Sequence, residues 1–233
     1  MNSLSPVVFD FLSRLRENNN REWYHQNKNM YREAKAAFES FLNDLIPELI
    51  GLDPALRGLT PKTTMFRIFR DIRFSKDKTP YKTNFGAVIA PGGRKSPYSG
   101  LYLHIEPGKC MAGGGIYKPQ KDVLDAVRQE IYYNGENLRK IINAPLFREW
   151  FGEIQSMGDK LKRMPKGFDT NSPNADLLKL KTITAMHAIE DEVMLSDNAA
   201  EELIETFRRL QPFNHFLNEA IDLGKDEKPH KLY

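Results

Sequence analysis

Between Tyr98 and Glu106 the chain alternates with a period of two. Leu101, Leu103 and Ile105 point one way, and Tyr98, Tyr102, His104 and Glu106 the other. Such a period predicts a strand with one face on a core and the other face wet or lining a cleft. Its neighbours carry strand patterns too, at 63–71, 84–90 and 109–116. A turn at 75–82, a loop at 91–97 and the tight turn Pro107-Gly108 separate them. Strands in series with links this short pair antiparallel.

Helical patterns flank this block. Residues 5–18 place Val8, Phe9, Leu12 and Leu15 on one face, and Asn18-Asn19-Asn20 ends that helix. A long helix is expected from about 21 to 49, with Trp23, Tyr31, Ala34, Phe38, Phe41, Leu45 and Leu49 at helical spacing. Asn27 is its one polar interruption, and Pro47 is expected to kink or end it. After Pro119, placed in a first helical turn, helices are expected at 119–133, 134–143, 145–151 and about 175–181, with a strand at 182–189. Asp197 or Asn198 would cap a helix to about 210, and Pro212 would open a last one to 223. The pattern predicts an α+β fold: an antiparallel sheet of about four to six strands packed against a long N-terminal helix and C-terminal helices. One domain over 1–224 with a tail at 225–233 is the expected organisation.

Several function classes drop out. No segment approaches the roughly 18–20 apolar residues that span a bilayer, and the first twenty residues lack a signal-peptide core. A cytoplasmic location and no membrane partner are expected. Cys110 is the one cysteine, which excludes an internal disulfide and a multi-cysteine zinc site. The five histidines show no metal-ligand spacing, so no metal site is expected, and no motif names a cofactor. Gly92-Gly93-Arg94-Lys95-Ser96 imitates part of a P-loop but lies between two strands, and reads as a connecting loop. Gly113-Gly114-Gly115 reads either as a bulge or tight crossing, or as a place where an anion approaches the backbone ahead of a helix.

The segment 66–84 carries the most chemistry. Arg67, Arg70 and Arg73 recur every third residue among Phe66, Ile68, Phe69, Ile72 and Phe74. Residues 62–84 hold seven Lys/Arg against Asp71 and Asp77, a local net of +5. In a strand, Arg67 and Arg73 share one face and Arg70 the other. One reading is a buried arginine–carboxylate network with Asp71 locally or Glu106 across the sheet as partner. The other is an anion site, in which Arg67, Arg70, Arg73, Ser75, Lys78, Thr79, Tyr81, Lys82 and Asn84 supply donors, with Gly114 and Gly115. The interleaved aromatics would suit base stacking, so the expected partner is an anionic small molecule or nucleic acid. A second constellation is Tyr102, His104 and Glu106, whose alternate spacing of about 6.5–7 Å suits general acid/base work without a metal. By contrast, 190–205 holds seven acids and no base, read as a solvated stretch leading into a helix whose first turn favours negative charge.

The run Phe69-Arg70-Asp71-Ile72-Arg73-Phe74-Ser75-Lys76-Asp77-Lys78-Thr79-Pro80-Tyr81-Lys82-Thr83-Asn84 resembles the signature of the domain of unknown function 2461, a family of conserved hypothetical proteins in bacteria and fungi. Asn18 to Tyr24, Gly113 to Pro119, Leu161 to Asp169 and Leu177 to Lys181 resemble further segments of that family. The resemblance covers nearly the whole chain. It implies a single α+β domain and carries no reaction, substrate or catalytic residue with it. Three readings therefore stand side by side: a protein that binds a phosphate-bearing or other anionic ligand through 66–84, a metal-independent enzyme using the Tyr102/His104/Glu106 face, and a non-catalytic interaction module with structural arginines.

Overall fold

A computed structural model describes residues 3–156 and 158–226. The order of elements is α1 (Pro6–Glu17), α2 (Arg21–Gln26), α3 (Lys28–Leu52), α4 (Pro61–Thr64), β1 (Phe85–Ile89), β2 (Leu101–Ile105), β3 (Met111–Ile116), α5 (Lys121–Ile142), α6 (Pro145–Phe151), α7 (Ala175–Leu178), β4 (Ile183–Ala188), α8 (Asp191–Met194) and α9 (Ala199–Asp226). The fold is α+β, with one antiparallel sheet in the order β1-β2-β3-β4. The chain gathers into two compact units: the described parts of 1–94, 102–112 and 188–205, and those of 95–101, 113–187 and 206–233. Residues 227–233 of the expected tail lie outside the described residues, while Lys225 still belongs to α9.

The first unit is built on aromatic packing. Pro6 opens α1 at a position whose N–H is unbonded in any helix. Val8, Phe9, Phe11, Leu12 and Leu15 of α1 are buried, as are Phe38, Phe41, Leu42, Leu45 and Leu49 of α3. Phe85 of β1 receives both helices: its ring stacks on Phe38 at 5.5 Å and on Phe11 at 6.1 Å. The long helix expected from 21 to 49 is broken at Asn27 (φ −104°, ψ 24°), whose side-chain amide donates to the Trp23 carbonyl at 2.9 Å. That amide satisfies a helix-end carbonyl, so the polar interruption is where α2 stops. Pro47 does not end α3, which runs on to Leu52. Pro47 and Asn43, four residues earlier, are both exposed, so the carbonyl that loses its partner faces water.

The strand expected at 63–71 is a correction. Residues 61–64 form α4, and residues 65–69 pair with the chain leading into β1 and with β1 itself only through isolated antiparallel bridges, Met65 with Ala87 and Phe69 with Tyr81. The two bridges differ in register by two residues, so the ladder between them is interrupted.

In the second unit α5, Lys121–Ile142, consists of two helical stretches joined across a kink at Asn134 (φ −122°, ψ 20°), at the boundary expected between two helices. Pro119 lies outside it, ahead of the cap residue Gln120. α9 continues through Pro212 instead of restarting there. Leu210, Phe213, Leu217 and Ile221 of α9 are buried, and Phe213 meets Phe147 of α6 at 5.6 Å. Arg128 is the deeply buried guanidinium of this unit, donating to the carbonyls of Leu178 (2.9 Å) and Leu180 (3.1 Å). No helix among the described residues is long and apolar enough to cross a membrane.

Candidate functional site

Two clusters of the first unit hold the polar chemistry, and the chain between Tyr81 and Phe85 joins them. The first is the loop bracketed by the Phe69–Tyr81 bridge and closed by the Arg70 N–H donating to the Pro80 carbonyl at 3.0 Å. Its charges mostly satisfy one another. Arg73 forks onto Asp71, Nε to Oδ1 at 2.9 Å and Nη2 to Oδ2 at 2.7 Å. Hydrogen bonding to Arg73 holds the Asp71 carboxyl well below its usual range, at about 2. Arg70 donates to Asp77 and to the Thr79 hydroxyl. The Asp77 carboxyl also drops to about 2, through the Thr79 backbone N–H first and Arg70 second. Lys78 Nζ donates to the Ile72 carbonyl at 3.0 Å, and the Ser75 N–H reaches the same carbonyl.

Of the two expected partners, Asp71 does serve an arginine locally and Glu106 does not. Asp71 serves Arg73, Asp77 serves Arg70, and Glu106 serves none of them. Arg70 is half-buried and Arg73 exposed, so the network lies at the surface. Tyr81 is buried, stacked on Tyr24 at 4.2 Å, with its backbone N–H and carbonyl both bound by the Asn19 side chain.

Arg67 and Lys82, beside this loop, take no part in its ion pairs. Arg67 makes no hydrogen bond or ion pair among the described residues and is exposed. Lys82 is half-buried, with Nζ over the Phe66 ring at 5.1 Å and no carboxylate paired with it among the described residues. Burial pushes its ammonium pKa down, and the like charge of Arg67 pushes it further. Asp71 lies near enough to feel the Arg67 charge but pairs with Arg73, so Arg67 and Lys82 are two cations outside the ion pairs, one of them partly stripped of water.

The second cluster begins one residue later. Thr83 Oγ1 donates to Glu106 Oε1 at 2.7 Å, and the Asn84 amide nitrogen lies 3.2 Å from His104 Nδ1. Tyr102 Oη is 2.9 Å from the same ring nitrogen, and His104 Nε2 is 3.2 Å from Glu106 Oε2. Tyr102 and His104 of β2 and Glu106 just beyond it thus line up on one face, while Leu101, Leu103 and Ile105 are buried on the other. An amide NH2 can only donate, so Nδ1 accepts and the ring proton sits on Nε2, aimed at the carboxylate. The Glu106 carboxyl is pushed up by burial, but the hydrogen bonds from Thr83 and His104 outweigh this and its pKa is lowered.

Gly114 and Gly115 belong to the second unit. A side chain on Gly114 would strike the Gly100 carbonyl at 2.6 Å, and one on Gly115 the Ile183 carbonyl at 2.1 Å. The Gly115 N–H already donates to Ser99 Oγ at 2.9 Å. Their local environment is that of a strand squeezed between neighbours. Thr83 is the member of the site that pattern reading missed: nothing in a lone threonine signals that it will reach a carboxylate 23 residues away.

A family model described as conserved hypothetical protein (DUF2461) matches residues 7–216, and the chain belongs to that family. No curated protein and no solved structure matches the chain.

Proposed function

We propose that the protein binds a small anionic, phosphate-bearing ligand at Arg67 and Lys82, with the Thr83–Asn84 and Tyr102–His104–Glu106 groups as the adjoining polar surface. The carrying observation is this couple of cations outside the ion pairs. In a segment where Arg70 and Arg73 each pair with a carboxylate, Arg67 and Lys82 form no ion pair among the described residues, and Lys82 bears a desolvation cost that a bound anion would relieve. Unfavourable arrangements of this kind concentrate at binding sites. Guanidinium and ammonium together offer a fork and a point charge, the usual pairing for phosphate oxygens. Isothermal titration of inorganic phosphate and pyrophosphate into the wild type and an Arg67→Gln/Lys82→Gln variant tests it. Saturable binding in the wild type, lost in the variant, is expected. No binding of either anion, or equal binding by both proteins, would overturn the reading.

A second reading is favoured by the His104 geometry. A hydroxyl, an imidazole of fixed tautomer and a carboxylate in series are the parts of a proton relay. Here both ring nitrogens are engaged within the protein, so the Tyr102 hydroxyl would be the group facing a substrate. Nitrogen-15 shifts of His104 report the tautomer. A neutral ring protonated on Nδ1 would remove this relay.

A further inference from the structure

Phe74 is 96% exposed, at the tip of the loop between the two arms of the Phe69–Tyr81 bridge. A phenyl ring this open contributes little to the fold, since neither of its faces is covered by the core. The loop beneath it is nonetheless braced from both sides. Arg73 is clamped on Asp71, Arg70 on Asp77 and Thr79, and Lys78 on the Ile72 carbonyl. The internal pairs use up both carboxylates of the loop, and Lys76 and the charge of Lys78 are left without an acid. Below the tip, Phe69 is also exposed, at 47%.

We propose that this braced loop is a docking site for single-stranded nucleic acid, with bases stacking on Phe74 and then Phe69, and phosphates against Lys76 and Lys78. Charge complementarity selects an anionic partner. Two exposed aromatic rings on one basic segment, Phe74 with the Arg73 guanidinium over one side and Phe69 with the surface left beyond its packing on Tyr24 and Tyr81, select a strand of unpaired bases, each of which has a face to offer. An anionic bilayer is the less suitable partner. Inserting Phe74 into it would carry the exposed, ionised carboxylates of Asp71 and Asp77 down to the headgroups. A base needs only the ring. The proposal stands apart from the phosphate site at Arg67 and Lys82 and can fail without it.

Fluorescence anisotropy with a labelled twelve-nucleotide oligothymidylate, at several salt concentrations, tests it. Phe74→Ala should weaken binding by about five-fold or more, the lower end of the measured range for one base–aromatic stack. Lys76→Ala should reduce the slope of log affinity against log salt by about 0.7, the value for one phosphate contact on a single strand. Phe74→Trp should retain binding, and its added indole emission should be quenched by the oligonucleotide. Because the Phe74 side chain is exposed, these variants should melt with the wild type. Unchanged affinity in Phe74→Ala would overturn the proposal. So would equal binding to a duplex of the same length, or binding to phosphatidylserine vesicles without binding to the oligonucleotide.

Discussion

At the scale of single residues, Glu106 and Lys82 make opposite predictions. Glu106 accepts hydrogen bonds from Thr83 and His104, and its folded pKa is lowered from 4.5. The stability it contributes is therefore fully present above that unfolded value and is lost as pH falls through the lower folded one. Glu106→Gln should cost about 1–2 kcal/mol near neutral pH, because the charge-assisted hydrogen bonds from Thr83 and His104 become neutral ones. The gap between variant and wild type in chemical denaturation should narrow as pH falls below 4.5 and close below the folded pKa. A gap that stays constant with pH would separate the loss from ionisation. Lys82 runs the other way. Its lowered pKa means the folded state disfavours the charged form, a cost present below the folded pKa and gone above the unfolded one. Lys82→Met should leave the protein as stable as the wild type at neutral pH, or more so, in thermal unfolding. A clear loss would show that Lys82 serves the fold and not a ligand. The alternation on β2 announces that Tyr102, His104 and Glu106 share a face. It does not announce Thr83, which reaches the same face from beyond the regular strand.

Among the elements, the arginines that look structural in the sequence and the one that is structural differ. Arg67, Arg70 and Arg73 draw the eye because they are clustered, yet Arg73 pairs at the surface, where solvent screens the ion pair and it adds little. Arg128 stands alone within an amphipathic helix and gives no signal, because its acceptors are backbone carbonyls some fifty residues on. Arg128→Ala leaves two buried carbonyls without donors and should cost about 2–4 kcal/mol. Arg73→Ala should cost far less, since its pair is screened by solvent. Parallel urea titrations of the two variants decide the matter, and a larger loss for Arg73→Ala would reverse the assignment. Gly115 makes a sharper case. With φ at +112° and a Cβ that would meet the Ile183 carbonyl at 2.1 Å, Gly115→Ala should fail to fold or lose about 3 kcal/mol or more, read as loss of soluble protein. The helices show why boundaries are harder to read than elements. Proline at 47 and 212 signals a stop, but in both cases the residue four positions earlier is exposed. Buried Ile46 and Leu49, and buried Leu210 and Phe213, hold the helix together across the gap.

For the whole molecule, the formal net charge is +3, too small to steer an anion from a distance. What matters is how unevenly the charge is spread. The acids of 190–205 open α8 and α9, where the first turn of a helix favours them. The basic segment keeps only Asp71 and Asp77 for itself. That imbalance is plain in the sequence. Which cations stay outside the ion pairs is not, since it depends on which arginine each aspartate can reach. A ligand that binds only the folded chain at the Arg67–Lys82 pair couples this local excess to global stability. At a phosphate concentration of about one hundred times its dissociation constant, the gain is about 2.7 kcal/mol. For a chain of 233 residues that corresponds to a rise of about 5–10 °C in Tm. Differential scanning calorimetry in phosphate against chloride at matched ionic strength should show this rise in the wild type and not in Arg67→Gln/Lys82→Gln. Matching the ionic strength matters, because plain screening relieves the Arg67–Lys82 repulsion in either salt and would raise Tm equally in both. A rise that chloride reproduces would therefore mean repulsion was being screened, and no anion was being bound.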